Sequence, residues 1–177
     1  MLCALLAALP AAQAAPNEAI ARLHAFEAQL EAHPSATAVL QDWCDAHAPG
    51  SRIIARQPQS AFLSPPEAAR RALAITPGER VRYRRVQLIC AGRVLSNADN
   101  WYLPGKLTQA MNAILDNTQT PFGVAVAALN FSRRNLETRY LPRGGESVLS
   151  HSAVLATAKG EPFSFVVETY TKAILGD

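Results

Sequence analysis

Residues 84–123 read RRVQLICAGRVLSNADNWYLPGKLTQAMNAILDNTQTPFG. Apolar and polar side chains alternate as far as Cys90, and a short Ala-Gly-Arg connection leads into a second strand-like run that ends at Pro104. Apolar residues at helical spacing follow over 106–117, before a Thr-Pro-Phe-Gly turn. This stretch therefore predicts a β-hairpin, a helix and a tight turn in one continuous unit.

The sequence on either side predicts helices before the hairpin and strands after it. Residues 17–32 repeat apolar side chains at helical spacing, and Ser35 or Thr37 is suited to cap a second helix that ends near Ala46. Beyond residue 135, three segments have the pattern of further strands. We therefore expect an α+β fold, in which an antiparallel β-sheet of five or six strands is covered by the N-terminal helices and the inserted helix.

The composition limits the classes of function that this chain can have. It has 177 residues, 49% of them apolar, which suits one domain with a sizeable core. The net charge of +3, without a Lys/Arg run, disfavours nucleic-acid binding. No apolar run reaches the roughly 18 residues that a membrane span of the mature chain would need. The few histidines lack ligand spacing, so we expect no metal site, and we expect a monomer.

The N-terminal residues have the pattern of a secretory signal peptide. A short apolar core is followed by small residues in an Ala-x-Ala arrangement at Ala12 and Ala14. We therefore predict cleavage after Ala14, with 1–14 as the signal and 15–177 as a single mature domain in the periplasm or outside the cell. No Lys or Arg precedes the apolar core, which a misplaced start at Met1 would explain; a buried N-terminal helix is the alternative.

Export leaves two cysteines, Cys44 and Cys90, in an oxidising compartment. An even pair there predicts a disulfide, which would close a loop of about 46 residues and contribute roughly 4 kcal/mol in the chain-entropy model. Two buried thiols that pack as small apolar side chains are the alternative.

Arg84 and Arg85 are neighbours on a predicted strand, so their side chains leave opposite faces of the sheet. The one on the covered face needs an anion, because a buried cation without a partner is costly. Glu168 raises the same question inside the apolar strand FSFVVETY. Two interpretations stand: an internal Arg–Glu pair or a solvated Glu, and a pocket with a cation at one end and a carboxylate at the other.

These features occur in one order: Arg-x-Val-x-Leu from Arg84, a hairpin, Tyr-Leu-Pro, a helix, Thr-Pro-Phe-Gly, then Gly-Glu-Pro and Glu168 in the last strand. In this order the chain resembles the chorismate pyruvate-lyase family over about residues 34–175. The resemblance implies an antiparallel sheet with helical flaps over a buried aromatic ligand, a fold shared with ligand-sensing domains of certain bacterial transcription regulators. Enzymes of this family convert chorismate to 4-hydroxybenzoate and pyruvate without a metal or an organic cofactor.

The resemblance also implies roles for five residues. Arg84 would hold the ligand carboxylate by a bidentate bond, helped by backbone N–H groups of Phe122 and Gly123 in the turn and of Ala36 in the second helix. Glu168 would fix the hydroxyl at the far end or accept its proton. Arg84 and Glu168 would then be the catalytic residues, and the ligand a small aromatic carboxylate such as chorismate or 4-hydroxybenzoate.

Two departures from the lyase pattern affect the charges around such a ligand. Asn100 stands where the lyases have an arginine, and Arg93, or Arg133 and Arg134, would have to supply that cation. His151 occupies a segment where the lyases carry a basic cluster, and it could lie near the pocket.

A third departure concerns the register of the last strand. Glu168 lies one residue further from Pro162 than the family spacing. The difference requires a β-bulge or a shifted register, because a slip of one residue would turn Glu168 away from the pocket.

Export conflicts with a lyase function, since chorismate is made and used in the cytoplasm. Whether the protein is an enzyme is therefore left open by the sequence. One hypothesis is a lyase that eliminates pyruvate from chorismate, and another is a non-catalytic periplasmic protein that binds a small aromatic acid. A structural or interaction protein with an occluded pocket is the third.

Overall fold

The structure, a computed structural model, describes residues 16–142 and 144–176. The predicted signal peptide and its cleavage site after Ala14 lie outside the described residues. The helices are α1 Pro16–Ala32, α2 Ala36–His47, α3 Glu67–Ala72, α4 Gln109–Asn117 and α5 Phe122–Ala125. The strands are β1 Ile54–Arg56, β2 Arg82–Cys90, β3 Arg93–Tyr102, β4 Ser132–Tyr140, β5 Ser147–Ala156 and β6 Pro162–Thr171. None of the helices within these ranges has the length and apolar character needed to cross a membrane.

The six strands form one antiparallel sheet in the order β1-β2-β3-β6-β5-β4. The predicted hairpin pairs β2 with β3, and its turn places Ala91 and Gly92 at φ 45° and 83°. These left-handed values suit a tight two-residue connection between twisted strands. The α+β class and the antiparallel sheet that the sequence predicts are thus confirmed.

Helices pack on both faces of this sheet, whereas the sequence predicts cover on one. Phe26 of α1 and Leu40 of α2 join Leu88 of the sheet in one apolar core. On the other face, Leu73 at the end of α3 packs with Trp101 in a separate cluster. The second cover is needed because the central strands β3 and β6 carry large apolar side chains on both faces.

A disulfide joins Cys44 of α2 to Cys90 at the end of β2, the pairing that the sequence predicts. Both residues are buried in the same core as Leu40. The Trp43 indole N–H also donates to the backbone oxygen of Ile174, at 2.9 Å. The C-terminal half of α2 is therefore fixed to the rest of the fold, which sets the place of its first turn above the sheet.

Candidate functional site

A cavity lies between one face of the sheet and the first turns of α2 and α5. Its floor is apolar and comes from four strands: Val86, Leu88, Ala98, Leu155 and Val166. The centre of a water molecule can occupy about 40 Å³ of the cavity. Since one water needs only roughly 10–15 Å³ by that measure, the space suits a few waters or one small planar molecule.

Arg84 supplies an unneutralised cation to this cavity. It is only 4% exposed, and its Nη2 donates to the backbone oxygen of Thr120 at 3.1 Å. Its Nε and Nη1 are buried without an acceptor, and it forms no ion pair with a described carboxylate. Burial lowers the pKa of the guanidinium, but an arginine keeps its proton at neutral pH. Arg84 therefore offers a full positive charge and two free donors.

Arg85, the next residue on the same strand, has an acidic partner and so differs from Arg84. Its side chain leaves the opposite face, is exposed, and places Nε 3.7 Å from Asp99 Oδ1. Alternation along β2 thus sends one arginine to solvent and the other beneath the helices. Only the buried member of the pair lacks a counter-ion among the residues that the structure describes.

Two helix starts meet above the cavity close to Arg84. Ser35 caps α2, where its Oγ accepts from the backbone N–H of Ala38 at 3.3 Å. The N–H groups of Ala36 in α2 and of Phe122 in α5 donate to no acceptor within the described ranges, as is usual in the first turn of a helix. The start of the 12-residue helix α2 carries partial positive charge and favours an anion at this end of the cavity, whereas the four-residue α5 contributes a free N–H group.

Gly123 allows the two helix starts to approach each other closely. A Cβ atom added there would lie 3.0 Å from Ser35 Oγ and 3.3 Å from Thr37 Oγ1. A side chain at this position would therefore require the side chains of Ser35 and Thr37 to shift. The backbone of Gly123 is helical, so glycine is favoured here by this close approach and not by its backbone conformation.

The far end of the cavity carries an ion pair that the sequence analysis did not assign. Arg133 Nη2 lies 2.7 Å from Glu168 Oε2, and the two side chains are 4% and 7% exposed. The Tyr170 hydroxyl donates to the same Oε2 at 3.0 Å. The internal Arg–Glu pair therefore exists, but Glu168 pairs with Arg133 of β4 while Arg84 stays alone. The predicted pocket has a free cation at one end and a neutralised carboxylate at the other.

His151 lies behind this ion pair and does not line the cavity. It faces Glu168 across β5 and β6, is fully buried, and has its Nδ1 3.5 Å from Arg133 Nη2. Burial lowers the pKa of His151, and the charge of Arg133 lowers it further. The imidazole is therefore neutral at pH 7, and its buried Nε2 has no partner in the described part of the chain.

The predicted replacements for the missing lyase arginine have different places. Arg93 is exposed at the β2–β3 turn, and Arg134 is exposed on β4, so only Arg133 lines the cavity. Asn100 lies opposite Arg84 on the neighbouring strand, and its Oδ1 accepts from Ser164 Oγ at 2.7 Å. This position therefore carries a neutral amide whose oxygen accepts a hydrogen bond from a serine.

A β-bulge sets the direction of Glu168. Ala156 of β5 pairs with Pro162 and Leu155 with Ser164, so Phe163 of β6 has no partner on β5. This extra residue absorbs the difference in spacing between Pro162 and Glu168, and the carboxylate remains on the cavity face.

The structure brings all five predicted ligand-binding residues to one cavity, lined among others by Ala36, Arg84, Phe122, Gly123 and Glu168. Sequence reasoning named Arg133 only as a possible substitute cation and did not connect it with Glu168. The available signal was the adjacent pair Arg133-Arg134, which repeats the Arg84-Arg85 pattern on a second strand. In both pairs the side chain of the first arginine is buried and the second arginine is exposed.

Comparison with known proteins places the chain in a family. The y4mC protein of Sinorhizobium fredii, an uncharacterized protein, is 40% identical over 182 aligned residues, which cover 89% of this chain and 77% of that protein. The chain belongs to the y4mC family. No family model matches it.

Two solved structures share the fold of this y4mC family member. PhnF of Mycobacterium smegmatis is 11% identical with a TM-score of 0.55 over 78% of this chain, which spans 64% of the PhnF chain. A proposed transcriptional regulator of Streptomyces coelicolor is 15% identical with a TM-score of 0.50, over 70% of this chain and 89% of its own. The fold is the chorismate lyase-like fold, and at these identities the likeness concerns the fold alone.

Proposed function

We propose that this protein binds a small aromatic monocarboxylate of the 4-hydroxybenzoate type in the cavity, without converting it. The observation that carries the proposal is the buried, unpaired guanidinium of Arg84. A desolvated charge with two free donors is costly, and a carboxylate supplies both the missing counter-charge and a hydrogen-bond acceptor. The helix starts at Ala36 and Phe122 add further donors at the same end.

The other end of the cavity selects a ligand that donates a hydrogen bond. Arg133 and Tyr170 both bond to Oε2 of Glu168, which leaves Oε1 as an acceptor for a ligand hydroxyl. A second carboxylate there would be repelled by Glu168, whereas a phenolic hydroxyl would be accepted. The apolar floor between the two ends suits a planar ring.

Elimination of pyruvate from chorismate is the second candidate function. The presence of Arg84, Phe122, Ala36 and Glu168 around one cavity favours it, because these positions match the lyase pattern. Two observations favour a binder instead. Asn100 puts a neutral amide where the lyases have a cation, and the charge of Arg133 is already neutralised by Glu168.

Titration of the purified mature protein with 4-hydroxybenzoate, benzoate and phenol tests the proposal. We expect 4-hydroxybenzoate to bind most tightly by calorimetry, benzoate more weakly, and phenol not measurably, since phenol lacks the anion that Arg84 needs. Chorismate incubated with the same protein should release no pyruvate above the rate in buffer. Binding of phenol as tight as that of benzoate would contradict the anion site, and release of pyruvate would establish the lyase instead.

We further propose that the protein works outside the cytoplasm. The Cys44–Cys90 disulfide supports this, because buried disulfides are typical of oxidising compartments. We expect the protein recovered from the periplasm of an expressing bacterium to begin at Ala15 when its N-terminus is sequenced. A full-length chain beginning at Met1 in the cytosolic fraction would overturn export and would favour the lyase.

A further inference from the structure

A second, larger concavity lies on the outer side of α2 and α5. The centre of a water molecule can occupy about 1080 Å³ of this concavity. Its wall is formed by one side of α2, the start of β1 and the segment that leads into α5. Ile54 and Val124 lie in it with 41% and 57% exposure, far more than is usual for aliphatic side chains inside a fold. We call this surface the outer groove.

The outer groove and the inner cavity are neighbours that share part of their lining. The shared residues are Pro34, Ser35, Thr37, Gly123 and Phe131, and a Cβ atom added to Gly123 would lie 3.0 Å from Ser35 Oγ. Thr120, whose carbonyl holds Arg84, lines the outer groove. Part of the partition therefore stands at the Arg84 end of the cavity, where Gly123 contributes no side chain to it.

The inner cavity and the outer groove differ in charge, in size and in apolar character. The inner cavity has the unpaired charge and little room, whereas the outer groove has room and an apolar wall that includes Ile54, Val124 and Phe131. Asp42 and Arg52 bring one charge of each sign to the outer groove, so it has no net preference for an ionic partner. A molecule that filled both spaces would be acidic at one point and apolar beyond it.

We propose that the natural ligand carries an apolar chain that passes between α2 and α5 into the outer groove. This inference rests on the proposed carboxylate site and extends it to a class of ligand, an aromatic acid with an alkyl or alkoxy substituent. The chain leaves the side of the ring, at the 3-position, and not the position opposite the carboxylate, because part of the partition stands near Arg84. A chain opposite the carboxylate would instead meet the buried pair of Glu168 and Arg133.

Two matched series of ligands test this class. Calorimetric titration would compare 3-alkoxybenzoates with 4-alkoxybenzoates whose chains grow from methyl to hexyl. We expect the affinity of the 3-series to rise roughly two- to fourfold with each of the first added methylenes, as apolar surface leaves water. The 4-series should weaken with length because its chain points at the ion pair. Equal behaviour of the two series, or no rise in the 3-series, would overturn the inference.

Val124→Asn provides the matched variant, since Val124 lines the outer groove and not the inner cavity. This variant should reduce the gain in affinity for each methylene added to the 3-alkoxybenzoates. It should leave the affinity for 4-hydroxybenzoate unchanged. Leu136→Asn on β4 changes a comparably exposed aliphatic residue outside both spaces and should alter neither quantity.

Failure of this inference can be distinguished from failure of the proposed function. If benzoate binds but chain length has no effect, the carboxylate site stands and the outer groove is not part of it. If no benzoate binds at all, both proposals fall. If sedimentation shows a dimer that Val124→Asn dissociates, the outer groove seats a second copy of this chain and the inference is overturned.

Discussion

Replacing Arg84 with methionine is expected to weaken the binding of 4-hydroxybenzoate by at least ~30-fold. Methionine keeps the apolar stem of the side chain and removes the unpaired charge and its two free donors. The backbone N–H groups of Ala36 and Phe122 remain, but they lack a full charge. Calorimetric titration of the variant beside the wild type measures the loss.

The same substitution should stabilise the protein when no ligand is present. Arg84 is buried with one bond to the Thr120 carbonyl and without a counter-ion, so its desolvation is not offset. We expect Arg84→Met to raise the free energy of unfolding in urea by about 1–2 kcal/mol. This result would support a binding function, because Arg84 would lower the stability of the ligand-free protein and gain its counter-ion when the ligand binds.

Arg85→Met is the matched control for both measurements. Arg85 is exposed on the opposite face, beside Asp99, and exposed ion pairs contribute little. It should leave binding unchanged and stability within about 0.5 kcal/mol of the wild type. Wild-type affinity in Arg84→Met, or a marked loss of stability there, would contradict the assignment of Arg84 as an unsatisfied cation.

Glu168→Leu is expected to have the opposite effect on stability, a loss of about 3–5 kcal/mol in the free energy of unfolding. The substitution removes the partner of a guanidinium whose side chain is 4% exposed, and it leaves Arg133 buried and uncompensated. The Tyr170 hydroxyl loses its acceptor at the same time. Urea denaturation followed by circular dichroism measures the change.

Two further variants separate the charge from the shape of Glu168. The double variant Glu168→Leu, Arg133→Met removes both charges and should recover most of the stability lost by Glu168→Leu alone. Glu137→Leu changes an exposed glutamate on β4 and should have an effect below about 0.5 kcal/mol. If the double variant is as unstable as Glu168→Leu, the loss of stability is caused by packing and not by the uncompensated charge of Arg133.

Much of the fold followed from local patterns in the sequence. The hairpin of β2 and β3 is marked by alternation and by a short turn, and α4 by an apolar stripe. These signals depend on residues close together in the chain, so they can be interpreted without knowing the tertiary structure. The position of α3 on the second face could not be predicted in this way, because it depends on which sides of β3 and β6 remain uncovered.

For the site, the sequence predicted residues that line the cavity but not how their charges pair. Arg84, Phe122 and Glu168 came from resemblance to a family pattern, and the structure brings them to one cavity. Which carboxylate neutralises which arginine could not be read from the sequence. That choice depends on β4 lying beyond β5, two strands away from Glu168, and on the length of the Arg133 side chain that reaches across.

Local sequence patterns specify most of the helices and strands and the need for one buried arginine on β2, because these features depend on periodicity and on the cost of burying charge. The folded chain was needed to show that Cys44 and Cys90 form a disulfide, and that Arg133 neutralises Glu168 while Arg84 keeps its charge unpaired. Charges interact through space over a few ångströms, and residues far apart in the chain reach that distance only once the sheet has formed.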